Sequence, residues 1–98
     1  MPTRYHNITG VLTQELVAPG DKIVPKEISI ANLHATNAVV VDLYIEKKLE
    51  GSYYIIKGVS IATGANLILN QAAIKISTGW GMYIKLGAAT SVVDVIIS

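Results

Sequence analysis

Between Val39 and Glu46 the apolar side chains fall on every second position. Val39, Val41, Leu43 and Ile45 alternate with a set that includes Asp42, Tyr44 and Glu46. Side chains of an extended chain alternate between its faces, so this spacing builds a strand with one apolar side and one mixed side. Tyr53 to Ile61 behaves alike, with Tyr53, Ile55, Val59 and Ile61 set against Tyr54, Ile56 and Ser60. Lys57 interrupts the first set, and its stem is long enough to cover apolar surface while the ammonium stays in water. The link Glu46-Lys47-Lys48-Leu49-Glu50-Gly51-Ser52 is polar and contains a glycine. This predicts a β-hairpin with a connection longer than two residues. The β-branched and tyrosine content opposes a helix.

The same pattern recurs along the chain. Ile8 to Val17 reads as one loosely alternating strand with Ile8, Leu12 and Leu16 on a face, and Ala18-Pro19-Gly20-Asp21 as a turn. Lys22 to Leu33 sets Val24, Ile28 and Ile30 on one side. Pro25 cannot donate to a ladder, so this strand lies at an edge, starts late or carries a bulge. Leu67 to Leu69, Ala73 to Ser77, Met82 to Leu86 and Ser91 to Ser98 follow, separated by Ala62-Thr63-Gly64-Ala65-Asn66, Asn70-Gln71, Thr78-Gly79-Trp80-Gly81 and Gly87-Ala88-Ala89-Thr90. About eight short strands with turn signals roughly every 8–12 residues predict an all-β, single-domain antiparallel β-sandwich, jelly-roll or Ig-like. Residues 1–7 read as an N-terminal arm and residues 8–98 as the sandwich domain.

Composition limits the function classes. Of the 98 residues 15% are charged and 51% apolar, against roughly 25% charged in typical soluble domains. Val39-Val40-Val41 and the final strand are apolar on both faces, so surface is expected that a neighbouring subunit covers. The net charge is +1 and Arg4 is the only arginine, which is no electrostatic footprint for nucleic acid. Cysteine is absent. No apolar run nears the about 20 residues of a membrane helix, and MPTRYHNITG has no signal-peptide core. A soluble product made without secretion is expected.

Chemistry-bearing residues are sparse. His6 and His34 stand 28 positions apart with no cysteine, a poor start for a metal site that needs three or four converging ligands. Asp42 and Asp94 sit mid-strand and would approach if their strands paired, as a glycosidase pair must; facing solvent or a lysine is the plainer expectation. No serine sits in a G-x-S-x-G elbow, and Gly79-Trp80-Gly81 has no phosphate-loop sequel. No catalytic, cofactor or metal residue is expected. Trp80 reads either as an exposed interface anchor or as a lid on the sandwich end. Tyr53 and Tyr54 must point opposite ways. No three aromatic residues stand in a row as a sugar platform would need. The candidate interface residues are Arg4, Tyr5, Tyr53, Tyr54, Trp80 and Tyr83.

Several segments together resemble a known group. They are Ala18-Pro19-Gly20, Ile28-Ser29-Ile30-Ala31-Asn32, Val41-Asp42-Leu43-Tyr44-Ile45, Ser52 to Ile61, Ala62-Thr63-Gly64-Ala65 and Ser91 to Ser98. Over residues 16–98 the chain resembles small virion structural proteins of tailed bacteriophages, especially those of cyanobacteria and marine bacteria. It departs from them at Ala62-Thr63-Gly64, where they carry a prolyl turn. The resemblance implies a β-sandwich packed in many copies on a virus particle, assembled in the host cytoplasm, with no enzymatic activity. It implies a capsid decoration or cement protein, a homotrimer at local three-fold positions, with the major capsid protein as partner. A tail, neck or fibre-attachment adaptor and a carbohydrate-binding module are the alternatives.

Overall fold

A computed structural model describes residues 4–20, 25–70, 79–87 and 92–98. They form eight strands: β1 (Arg4–Thr9), β2 (Gln14–Val17), β3 (Glu27–Asn32), β4 (Val39–Lys47), β5 (Gly51–Ile61), β6 (Asn66–Asn70), β7 (Gly81–Leu86) and β8 (Val92–Ile97). The first sheet has the order β1-β8-β3-β6 and the second β2-β7-β4-β5. Every pairing is antiparallel. The pairs β1–β8, β2–β7, β3–β6 and β4–β5 describe one long hairpin in which the two halves of the chain run side by side. The pairs β3–β8 and β4–β7 then roll that hairpin into two layers. This is the jelly-roll form of the expected sandwich, and its strand order is not that of an Ig domain.

The alternation does what it promises where it is strict. Val39, Val41 and Leu43, then Met82, Ile84 and Leu86, then Val93, Val95 and Ile97 are all buried between the sheets. Ile28 and Ile30 join them from β3. Each such side chain contributes roughly 1.5–3 kcal/mol when fully withdrawn from water. The buried apolar set is entirely aliphatic or methionine, and none of the five tyrosines nor Trp80 belongs to it.

Two sequence expectations change, and one open choice is decided. Ile8 to Val17 is two strands in different sheets, because the chain crosses between layers at residues 10–13, and Leu12 lies exposed in that crossing. The expected arm is in part a strand: Arg4 to Asn7 belongs to β1 and pairs with β8 from Arg4 opposite Ile97 onward. An edge strand at the margin of the core needs little apolar surface, and β1 buries only Ile8. Pro25 is resolved in favour of a late start, since β3 begins at Glu27 and is a central strand. The expected strand at Ala73–Ser77 lies outside the described residues, as does the start of the one at Lys22.

β5 carries the main irregularity. Val41 faces Val59, Leu43 faces Ile56 and Tyr44 faces Tyr54, so β5 holds two extra residues against β4. Gly58 takes φ +66°, a conformation that a side chain resists, and its N–H donates to Asp42 Oδ1 at 2.7 Å. Two shifts of one residue restore the original facing, so Tyr53 and Ile61 share a side while Tyr54 takes the other. The β4–β5 connection is three residues, Lys48 to Glu50, closed by Glu50 N–H to Lys47 O at 3.0 Å. At its tip Leu49 takes φ 71° and is fully exposed.

Among the described residues Asn32 is the buried polar one, 3% exposed. Its Nδ2 donates to Ile61 O at 2.9 Å and Asn37 O at 3.0 Å, and its Oδ1 accepts the His34 N–H at 2.8 Å. One side chain thus ties the end of β5 to the β3–β4 loop. Asn32→Leu leaves those carbonyls and that amide without a partner and is expected to destabilise the fold by about 2–3 kcal/mol, measured by urea unfolding.

Candidate docking surfaces

With a closed aliphatic core, recognition falls to the two outer faces, the edges and the ends. On the outer face of the second sheet the register aligns Glu15 with Tyr83, Tyr83 with Tyr44, and Tyr44 with Tyr54. One row therefore crosses all four strands. The Tyr44 and Tyr83 rings stack at 5.5 Å between centroids and 26° between planes, and Tyr44 and Tyr54 meet at 5.4 Å and 53°. The Lys57 ammonium lies 4.5 Å from the Tyr54 ring centroid and closes the row with a cation–π contact. Three aromatic residues do stand in a row, contrary to the sequence expectation. Tyr44 went unnamed as a candidate because cross-strand register depends on both bulges of β5, which composition does not reveal.

This row is packed into itself. The Tyr83 ring leans along β7 over Gly81, where an added Cβ would stand 2.7 Å from the Tyr83 hydroxyl oxygen. Glu15 stands directly across from Tyr83 in the β2–β7 register. Loss of hydration, then the charges of Glu15 and Glu46, then Tyr44 and the Glu15 hydrogen bond, raise the Tyr83 pKa above the ordinary tyrosine value. Glu46 also accepts from Ser52 Oγ at 3.1 Å.

The first sheet presents a different outer face. Its rows read Tyr5–Ile96–Ser29–Ile68 and Asn7–Asp94–Ala31–Asn66. Tyr5 is 75% exposed, Ile68 55% and Ile96 39%. Among the described outward side chains of this face only Glu27 and Asp94 are charged, and Asp94 accepts a 2.8 Å bond from Asn7 Nδ2. The second sheet's outer face carries Glu15, Asp42, Glu46, Lys57 and Lys85. An open groove of about 360 Å³ runs beside the β1–β8 pair, lined by Tyr5, His6, Asn7, Asp94, Val95 and Ile96.

The six residues named from sequence do not converge. Arg4 and Tyr5 lie on β1, at the edge of the first sheet. Tyr54 and Tyr83 belong to the tyrosine row. Tyr53 and Trp80 sit together at an end of the second sheet, rings 5.7 Å apart, with Trp80 half-buried and Tyr53 exposed. Asp42 and Asp94 lie in different sheets and do not pair. His34 is a loop organiser, its Nδ1 accepting the N–H groups of Thr36 and Asn37, while its carbonyl accepts from Thr63 Oγ1. Among the described residues no three His, Cys, Asp or Glu side chains gather as a metal site, and no helix is long and apolar enough to cross a membrane. Comparison with known proteins gives no match, either to a family model or to a curated sequence.

His6 is half-buried and its Nε2 is covered without a hydrogen-bond partner. Burial, and then the Arg4 guanidinium, hold its pKa below the ordinary histidine value. The folded state therefore resists protonation: stability is full above about pH 6.5 and declines as pH falls through the lowered value. Thermal melts in mildly acid buffer are expected to show this decline, and His6→Gln to flatten it. For the tyrosine row, Gly81→Ala is expected to swing the Tyr83 ring off its neighbour. That change destabilises the protein by about 1–3 kcal/mol and returns one tyrosine to ordinary titration, read as alkaline absorbance. Because the Tyr83 pKa is raised, stability is full below about pH 10 and falls as pH rises beyond it; Tyr83→Phe is expected to reduce that fall.

Proposed function

We propose that this chain is a structural protein of a virus particle, a decoration or cement protein that docks on the outside of the capsid and bridges neighbouring major capsid subunits. The observation that carries this reading is the difference between the two outer faces. The second sheet's face carries charge and contacts of its own, rings against rings, ammonium on ring and carboxylates on donors, with Tyr54 and Val40 still part-exposed on it. The first sheet's face is poor in charge and leaves Tyr5, Ile96 and Ile68 in water along one row. A flat, neutral face of this kind suits another protein surface, and the sequence resemblance to small phage virion proteins supplies the particle. Covering each such side chain gains roughly 1.5–3 kcal/mol at most. Association itself costs about 4–15 kcal/mol. A single copy is therefore held modestly, which suits a protein that binds a repetitive lattice in many copies.

Capsids depleted of the protein, mixed with the purified chain, are expected to gain resistance to heat and osmotic shock. Ile68→Lys places a charge at the β6 end of the row without touching the core, and is expected to abolish the gain while circular dichroism stays unchanged. No gain with the wild-type chain, or an equal gain with Ile68→Lys, overturns the reading. Attachment to tails alone marks a tail, neck or fibre adaptor instead.

The tyrosine row favours a second reading, a carbohydrate-binding module. Sugars stack on open ring faces, whereas these rings turn their faces to one another and to Lys57. Glycan-array binding that disappears in Tyr54→Ala would establish this reading in place of the first.

A further inference from the structure

The unpaired side of β1 is a second surface, distinct from the outer faces. Glu27 and Ser98 exchange both main-chain bonds, N–H to O at 3.1 Å and 2.9 Å, and Leu33 N–H meets Val92 O at 3.0 Å. Hydrogen-bonded and non-bonded pairs alternate along an antiparallel ladder. Ile96, Asp94 and Val92 therefore direct their main chain toward β3, and Ile97, Val95 and Val93 toward β1. The β1 partners of that second set are Arg4, His6 and Ile8. Tyr5, Asn7 and Thr9 are left to direct N–H and C=O away from the sheet. The Thr9 carbonyl accepts from Gln14 Nε2 at 3.3 Å. Among the described residues nothing meets the main-chain groups of Tyr5 and Asn7.

An open row of this kind is a template for another strand, and proteins commonly blunt it with bulges, charges or shortness. β2 and β5, the edges of the second sheet, are both broken by register shifts. β6, the other edge of the first sheet, is shorter than β1. β1 runs in regular register over all six of its residues. The same strand holds the orphaned His6 Nε2, and the groove of about 360 Å³ opens beside it.

We propose that two copies of this chain join edge to edge through β1, antiparallel about a two-fold axis at His6, with Tyr5 of each copy opposite Asn7 of the other. This register uses only the four free groups of each edge and gives two hydrogen-bonded pairs, roughly four N–H···O bonds in all. The neighbouring register, Asn7 opposite Asn7, needs the Thr9 carbonyl that Gln14 already holds. Facing is preserved: Arg4, His6 and Ile8 of both copies stay on the core side, and Tyr5 and Asn7 on the outer side. Arg4 comes opposite Ile8 rather than another cation. The two His6 side chains come opposite one another at the axis, on the core side of the joined sheet. Each Tyr5 ring is carried to the mouth of the other copy's groove. A two-fold contact of a surface with itself closes at two copies. The pairing concerns the chain alone, so it stands or falls separately from docking on a particle.

Sedimentation of the full chain at neutral pH tests it. The wild-type chain is expected to have twice the 10.5 kDa monomer mass, with slow amide exchange at Tyr5 and Asn7. Asn7→Pro removes an N–H that points away from β8 and is expected to give a monomer with an unchanged strand signal. Should that variant fail to fold, Tyr5→Lys decides, with dimer dissociation expected to rise about tenfold or more. Ile68→Lys, on the far edge of the same sheet, is expected to remain dimeric. A wild-type monomer at high micromolar concentration, a trimer, fast exchange at both amides in the dimer, or a dimer indifferent to Asn7→Pro and Tyr5→Lys alike overturns the proposal.

Discussion

The structure depends on β8 lying between β1 and β3. Its inward residues Val93, Val95 and Ile97 are fully buried, and its main chain bonds to both neighbours. Without it the first sheet separates into the β1 edge and the β3–β6 pair, and the second sheet loses the layer against which Val41, Leu43 and Ile84 pack. Among the described residues the core holds no aromatic ring, and the chain has no cysteine, so cohesion comes from aliphatic side chains interlocked between two layers. Among the described residues Asn32 adds the one buried polar tie, and it fixes a loop end rather than the layers themselves.

That economy inside determines what is displayed outside. With every aromatic residue excluded from the buried set, tyrosines and the tryptophan accumulate on faces, edges and ends. In the second sheet they are neutralised by stacking on each other across three strands. In the first sheet Tyr5 has no ring beside it; its cross-strand neighbour Ile96 leads on to Ser29 and Ile68. The two faces of one small sandwich thus differ in what they leave undone, and the difference follows from register rather than composition.

Much of the fold was legible because strict alternation has one physical meaning. Val39 to Ile45, Met82 to Leu86 and Val93 to Ile97 placed their inward residues correctly, and the β4–β5 hairpin with a connection longer than two residues followed from the polar break. Ile8 to Val17 misled because period-two spacing continues through Leu12 even though the chain changes sheet there. Arg4 to Asn7 read as an arm because the inward side of β1 contains Arg4 and His6, polar groups tolerated only at the margin of a core. The tyrosine row was illegible because two extra residues in β5 decide whether Tyr54 faces Tyr44, and Gly58 alone does not announce both. The wish of Trp80 and Tyr53 for a partner was visible; that they satisfy each other was not.

The rolled-hairpin path also bears on how the protein comes into being. The strand that joins β1 to β3 is the last of the eight to leave the ribosome, so the first sheet has no continuous ladder while the rest of the chain emerges. Nearly all of its cross-layer order then rests on contacts distant in sequence, a topology that folds slowly. During that interval the newborn β1 edge is open on both sides, and crowded polysomes would give neighbouring nascent chains a chance to exchange strands.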